Sequence, residues 1–278
     1  MRARAIAAIV TLLGAQACTA AVSDLSGFET NPLICVPGED QQMRDLQLRL
    51  FELGVHSTNL FEATVVRRST GFLTSRLIID PLENGTQEII VPNAIPPVAD
   101  PDDTFFLDFY ADLNDSRSYD SPPTDHTWRR DLACDGSLEF THIAEFEDLE
   151  RGRPIGGDVT FHLQNIDTSF ENLTLEVHVR ARFSGGVPQT VGVYRLGRIG
   201  GSDVTLTIPG VVDGGTEHDV LYFVDLDRNR IADSTGGDLI CSHTQVGTAA
   251  GLAVELDLAV ERTAGNCMLD AFPVLPRR

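Results

Sequence analysis

Residues 105–126 read FFLDFYADLNDSRSYDSPPTDH, and residues 220–239 read VLYFVDLDRNRIADSTGGDL. In both, an apolar run passes straight into acidic and amide residues at every second position. The first copy places Asp112, Asn114, Ser116, Asp120 and Asp125; the second places Asp225, Asp227, Asn229, Asp233 and Asp238, each 113 residues further on. A motif written twice implies that the unit carrying it is also written twice. A hard cation such as Ca²⁺ takes roughly six to eight oxygens, and side chains at positions 1, 3 and 5 of a tight loop can converge on it. These ten residues are therefore candidate Ca²⁺ ligands. An EF-hand is excluded: its sixth position needs Gly and its twelfth Glu, where this chain has Arg117 or Arg230 and Pro123 or Gly236. No helical pattern flanks either loop, and Asp125 or Asp238 stands as the last candidate ligand instead. The plain alternative is a polar hairpin turn, since Asp, Asn and Ser also favour turns.

Around the loops, apolar and polar residues alternate with period two, the mark of half-buried strands. Strands are expected at 46–51, 60–67, 72–79, 87–91, 104–111 and 137–146, then at 159–163, 173–180, 190–195, 203–208, 219–224, 239–244 and 252–258. Gly, Pro, Asn and Asp cluster between them, as turns require. Many short strands at this spacing argue for an all-β chain built of β-sandwiches. Leu46, Leu48 and Leu50 can be aligned with Leu173, Leu175 and Val177, and Leu77 and Ile79 with Val204 and Leu206, both at an offset of 127. Against the offset of 113 at the loops, this predicts about 14 extra residues in the first copy, within 81–103. The charged, Gly/Pro-rich stretch 150–157 (ERGRPIGG) is the expected linker. The expected layout is residues 35–152 and 153–278 as two domains.

The first 17 residues have the form of a secretory signal: Arg2 and Arg4, an apolar segment over 5–14, and Ala15-Gln16-Ala17 as a small-x-small cleavage site. That segment is too short to span a bilayer. Cys18 follows at once, where bacterial lipoproteins carry their acylated cysteine, although Ala15 and Gln16 replace the usual Leu and small residue. Lipidation of Cys18 would make 18–34 a tether; plain secretion is the alternative. Cys35, Cys134, Cys241 and Cys267 remain, an even number in an oxidising compartment. Pairing Cys35–Cys134 and Cys241–Cys267 keeps each bridge within one repeat, and no Cys-x-x-Cys pair argues for zinc. All 21 basic residues are Arg, against 41 acids, for a formal charge of −20. Loss of residues 1–17 removes Arg2 and Arg4 and no acid. Such a surface disfavours nucleic acid and anionic membranes as partners, leaving membrane contact to the Cys18 anchor.

The strand entering Asp-x-Asp/Asn-x-Asn/Ser at 109–120 and 223–233 resembles the transthyretin-like (prealbumin-like) sandwiches of exported bacterial proteins. The Gly that often follows the second Asn in that family is absent from both copies. The resemblance implies two tandem seven-stranded Greek-key β-sandwich domains, transthyretin/Ig-like, as an extracytoplasmic module without a known reaction. No Gly-x-Ser-x-Gly elbow, His-Glu-x-x-His or phosphate-binding loop occurs. Glu217-His218-Asp219 cannot converge in a strand, because neighbours there point to opposite faces. His162 and His178 sit among apolar neighbours and read as satisfied strand residues. Trp128, with Tyr119 and His126 beside the first loop, is the candidate ligand face if it is exposed, and a structural element if it is buried. The expected function is a non-enzymatic, exported cell-envelope module with structural Ca²⁺ loops and an envelope protein or polysaccharide as partner. A carbohydrate- or protein-binding adhesin-like module, or an accessory domain of an extracellular hydrolase, is the alternative.

Overall fold

The computed structural model describes residues 42–83, 85–98, 100, 102–183, 186–228, 238–264 and 267. Period-two patterning becomes strand pairing almost throughout. In β1 (Arg44–Phe51), Leu46, Leu48 and Leu50 are buried while Gln47 and Arg49 face solvent. The first half continues with β2 (Phe61–Arg67), β3 (Leu73–Asp80), β4 (Gln87–Ile95), β5 (Phe105–Ala111), β6 (His126–Asp131) and β7 (Ser137–Thr141). The second half supplies β8 (Gly157–Gln164), β9 (Thr174–Arg182), β10 (Gln189–Leu196), β11 (Val204–Val212), β12 (Glu217–Asp225), β13 (Leu239–Val246) and β14 (Gly251–Asp257). A short helix, α1 (Leu258–Ala264), follows.

Both halves obey one pairing scheme. Small sheets run β4-β1-β7 and β11-β8-β14, and one eight-stranded sheet runs β13-β12-β9-β10-β3-β2-β5-β6. Adding seven to each strand number of the first half gives the second. The expected all-β fold is therefore present, but the halves are not beads on a linker. Their equivalent edge strands β3 and β10 pair in parallel, from Arg76 opposite Gly192 to Asp80 opposite Leu196. Across that seam Gln189 donates to the Thr74 carbonyl and the Tyr194 hydroxyl to Asp80. Residues 150–157 lie against the sheet, with Leu73 N donating to Arg153 O and Arg151 reaching Glu62.

Parallel pairing of equivalent edges turns one half over relative to the other, so the small sheets cover opposite faces. Alternate residues of β3 accordingly belong to two cores. Leu77 and Ile79 pack with Leu46, Leu48, Phe109 and Trp128, while Ile78 packs with Val159, Phe161 and Tyr222. Val193 of β10 reciprocates by entering the first core. Burial on both faces makes β2, β3, β5 and β12 nearly continuous runs of buried residues rather than alternating ones. Polar groups on them are paired: Glu62 with Arg76 (3.0 Å), Asp108 with Arg129 (2.6 Å), Glu176 with Arg195 (2.6 Å).

Three sequence expectations need correction. The true partners of Leu46, Leu48 and Leu50 are Val159, Phe161 and Leu163, offset by 113 and not 127, as the pairing of Leu48 with Ile89 and of Phe161 with Leu206 requires. The 127 offset slips by one strand, because Leu46, Leu48 and Leu50 of the first strand of one half resemble Leu173, Leu175 and Val177 at the second strand of the other. The supposed 14-residue insertion disappears; residues 96–104 against 213–216, between the fourth and fifth strands, hold the main length difference. No strand is expected at 126–131, because HTWRRD follows Pro122-Pro123 and does not alternate, yet β6 forms there and pairs with β5. Cys241 and Cys267 form the expected disulfide, joining β13 to the chain beyond α1. Cys134 is disulfide-bonded too, and its expected partner Cys35 lies outside the described residues, as does Cys18.

Candidate functional site

Each acidic loop begins where a central strand leaves the sheet. β5 delivers Asp112, which is buried, and its carboxylate accepts three backbone N–H groups: Asn114 and Ser116 at 3.2 Å, Arg117 at 2.7 Å. Asp125, also buried, accepts from Leu113 (3.3 Å) and Asp120 (2.6 Å). Asn114 Nδ2 donates to Asp120 at 2.9 Å, and Arg117 pairs with Asp80 at the seam. Asp115 and Arg117 adopt left-handed backbone, φ 59° each, so that the amides turn inward. Burial raises the Asp125 carboxyl above its ordinary range, the two backbone bonds oppose this, and the charges of Asp112 and Asp120 add to it. The first loop is thus folded around its own two buried carboxylates.

The second loop starts identically: Asp225 is buried at the end of β12, and Leu226 N donates to Asp238 at 2.8 Å, as Leu113 N does to Asp125. It differs at two described positions, where Asp227 replaces Asn114 and Arg228 replaces Asp115. One oxygen each of Asp225, Asp227 and Asp238 lies within 4.8 Å of the others. Asp112, Asp120 and Asp125 form no such group among the described residues. Three convergent carboxylates offer part of the roughly six to eight oxygens that a hard cation takes. Asn229 and Asp233 lie outside the described residues.

The aromatic end has a different character from the one expected of a ligand face. Trp128 is fully buried, stacks on Phe109 and His126, and donates its indole N–H to Ile143 O at 3.2 Å. Tyr119 packs with Tyr110 on the opposite face of the eight-stranded sheet, against the second core. These two rings cannot form one platform. His126 is buried in a set that sequence spacing could not display. It lies near His56, at the end of the 3₁₀ turn Leu53–His56, and His142, just past β7. A ring nitrogen of each lies within 4.8 Å of the others. Burial, helped by the neighbouring His126 and His142, pushes the His56 imidazole down to about 4, and burial lowers His126 against its bond to Glu145 O. Elsewhere the sequence reading holds: His178 binds Glu176, His162 binds Glu255, and His218 and Asp219 turn to separate partners, Thr216 O and Arg182.

No family model matches the chain, and no curated protein matches it. Among solved structures it is similar to the tip fimbrial protein Mfa3 from Porphyromonas gingivalis with C-terminal truncation, at 11% identity and TM-score 0.24 over 72% of this chain and 81% of that one. It is similar also to the fimbrial anchor protein Mfa2 from Porphyromonas gingivalis, at 9% identity and TM-score 0.22 over 73% and 98% of the two chains. The streptococcal ancillary pilin gives 12% identity and TM-score 0.19 over 77% and 62%. Scores of this size do not define a shared fold. No helix among the described residues is long and apolar enough to cross a membrane.

Proposed function

We propose that this chain is a non-enzymatic structural module of the cell envelope, exported, held through an acylated Cys18, with Ca²⁺ bound in its second acidic loop. The observation that carries the reading is the continuous eight-stranded sheet, which fuses two seven-stranded halves into one body with a core on each face. What supports a seven-stranded transthyretin-like Greek-key reading of each half is the shared strand order, β4-β1-β7 against β3-β2-β5-β6 and its copy in the second half. The burial of Trp128 removes the platform on which the carbohydrate-binding alternative relied. Asp225, Asp227 and Asp238 supply the cation's donors, and the bound ion would offset their mutual repulsion while fixing the end of β12.

Thermal unfolding of the residue 19–278 fragment, non-reduced, with and without millimolar Ca²⁺, tests this. Wild type should melt several degrees higher with Ca²⁺, and the exposed substitution Asp227→Asn should shrink the shift without changing the metal-free transition much. An unchanged wild-type melting temperature would remove calcium from the reading. For the anchor, Cys18→Ser in the full chain should move the protein from the membrane to the soluble fraction.

A further inference from the structure

The repeat provides its own control for the buried histidines. His126 opens β6 opposite Ala111, and its counterpart Leu239 opens β13 opposite Val224. His56 ends the 3₁₀ turn after β1, and Phe170 ends the corresponding turn Thr168–Phe170 after β8. His142 follows β7 as Leu258 follows β14. In the second half, Phe170 and Leu258 are core residues and Leu239 packs against them, closing that end of the sandwich with hydrocarbon. The fold therefore closes without imidazoles at these places. Two buried imidazoles, His56 and His126, and the half-buried His142 in their stead cost stability unless something satisfies them.

Their geometry indicates what would. His56 Nε2 and His142 Nε2 are 3.2 Å apart. Two imidazole nitrogens on one tetrahedral Zn²⁺, at roughly 2.0–2.1 Å from the metal, would stand about 3.3 Å apart. His126 Nε2 lies 3.2 Å from the Glu145 carbonyl; an N–H donated there leaves Nδ1 with its lone pair, the outer contact that orients metal-bound histidines. The Nε2 of His56 has only the His142 nitrogen beside it, and an ion between the two would replace that single contact; its Nδ1, on the other side of the ring, is buried without a hydrogen-bond partner among the described residues. Trp128 and Phe146 both stack on the His126 ring and hold its orientation.

We propose that His56, His126 and His142 form a binding site for a borderline divalent transition-metal ion, Zn²⁺ being the probe. The three ligands come from the turn after β1, the start of β6 and the end of β7, so the bound ion ties both sheets of the first half together at one end. Three nitrogen donors suit Zn²⁺, Ni²⁺ or Cu²⁺ and do not suit Ca²⁺, so this site and the acidic loop select different ions.

The test is Zn²⁺ titration of chelator-stripped, non-reduced protein in competition with a chromophoric chelator, beside metal-free melting. One Zn²⁺ should bind with micromolar or tighter affinity. His142→Ala, at a half-buried position, should weaken binding by more than the roughly 10–100-fold that loss of an outer contact produces. His56→Phe, which copies the second half, should abolish binding and keep or raise the metal-free melting temperature, separating lost ligation from lost folding. Asp227→Asn should leave Zn²⁺ affinity unchanged. Absence of binding by wild type overturns the proposal. So does binding that survives His142→Ala and His56→Phe, or that falls with Asp227→Asn and thereby belongs to the acidic loop.

Discussion

The two halves repeat one strand order and differ in what they place on it. Core-facing positions are interchangeable: Leu46, Leu48 and Leu50 in one half, Val159, Phe161 and Leu163 in the other, all buried. On the opposite face of the shared sheet the halves diverge. The first holds Glu62 between Arg76 and Arg151, with Asp108 clasped by Arg129. The second holds Glu176 between Arg195 and His178, beside an apolar patch of Leu221, Phe223 and Ile240. What the pairing scheme demands is alternation and cover on both faces. The polar chemistry on top of it is free to differ, and that is where individual function can reside.

The largest expected effect tests whether the halves are one cooperative body. Phe161 is buried in the second core against Tyr222, with ring centroids 5.3 Å apart. Phe161→Ala should destabilise the protein by about 3–5 kcal/mol, lowering the melting temperature by on the order of 10 °C. Trp128, the single tryptophan, reports on the other half by fluorescence. If β3 and β10 couple the halves, the tryptophan transition should fall together with the calorimetric one. A fluorescence transition left at the wild-type temperature would mean that the seam holds two independent units.

A somewhat smaller effect separates the two buried charge sets. Burial pushes the Glu176 carboxyl up, but the Arg195 charge and the His178 contact outweigh it and hold the group at about 2. A carboxyl depressed on folding stabilises above its ordinary range, and that contribution is lost as pH falls from about 4 toward 2. Asp108 is shifted the other way: burial raises it despite Arg129, so its protonation opposes acid unfolding. Glu176→Gln should therefore lose about 3 kcal/mol at neutral pH by denaturant unfolding, with the gap to wild type closing toward pH 2. A gap that stays constant with pH would assign the loss to packing.

How much of this was legible in the sequence follows the same division. Period-two alternation located thirteen of the strands, and the acidic echo located the repeat, because both are local patterns. The strand-by-strand register is not legible locally, since Leu46 and Leu173 look alike in sequence and only pairing tells a first strand from a second. The shared sheet was invisible: nothing local says that β3 will find β10, although the unbroken burial of β3 is its consequence. The acidic residues could be read as loop ligands, but not that Asp112 and Asp125 spend their oxygens on backbone amides. The histidine group joins residues up to 86 positions apart. Its one sequence signal was that the second half has Phe or Leu at each place, and seeing that required the correct register.

The smallest effect bears on the loops themselves, which differ at one described position of the cluster. Asn114 donates to Asp120 where Asp227 adds a third carboxylate beside Asp225 and Asp238. Asn114→Asp writes the second loop's pattern into the first. Without metal it should be slightly destabilising, because a donor to Asp120 is lost and a like charge is placed beside it. With millimolar Ca²⁺ the variant should recover that loss and melt above its metal-free value, a response absent from the first loop of wild type once Asp227→Asn has silenced the second. The double variant Asn114→Asp/Asp227→Asn is the decisive protein: a calcium-dependent rise transferred to the first loop would show that the third carboxylate is the determinant. No rise in the double variant, beside a clear one in wild type, would place the determinant in the remaining loop residues, Ser116 and Asn229 foremost.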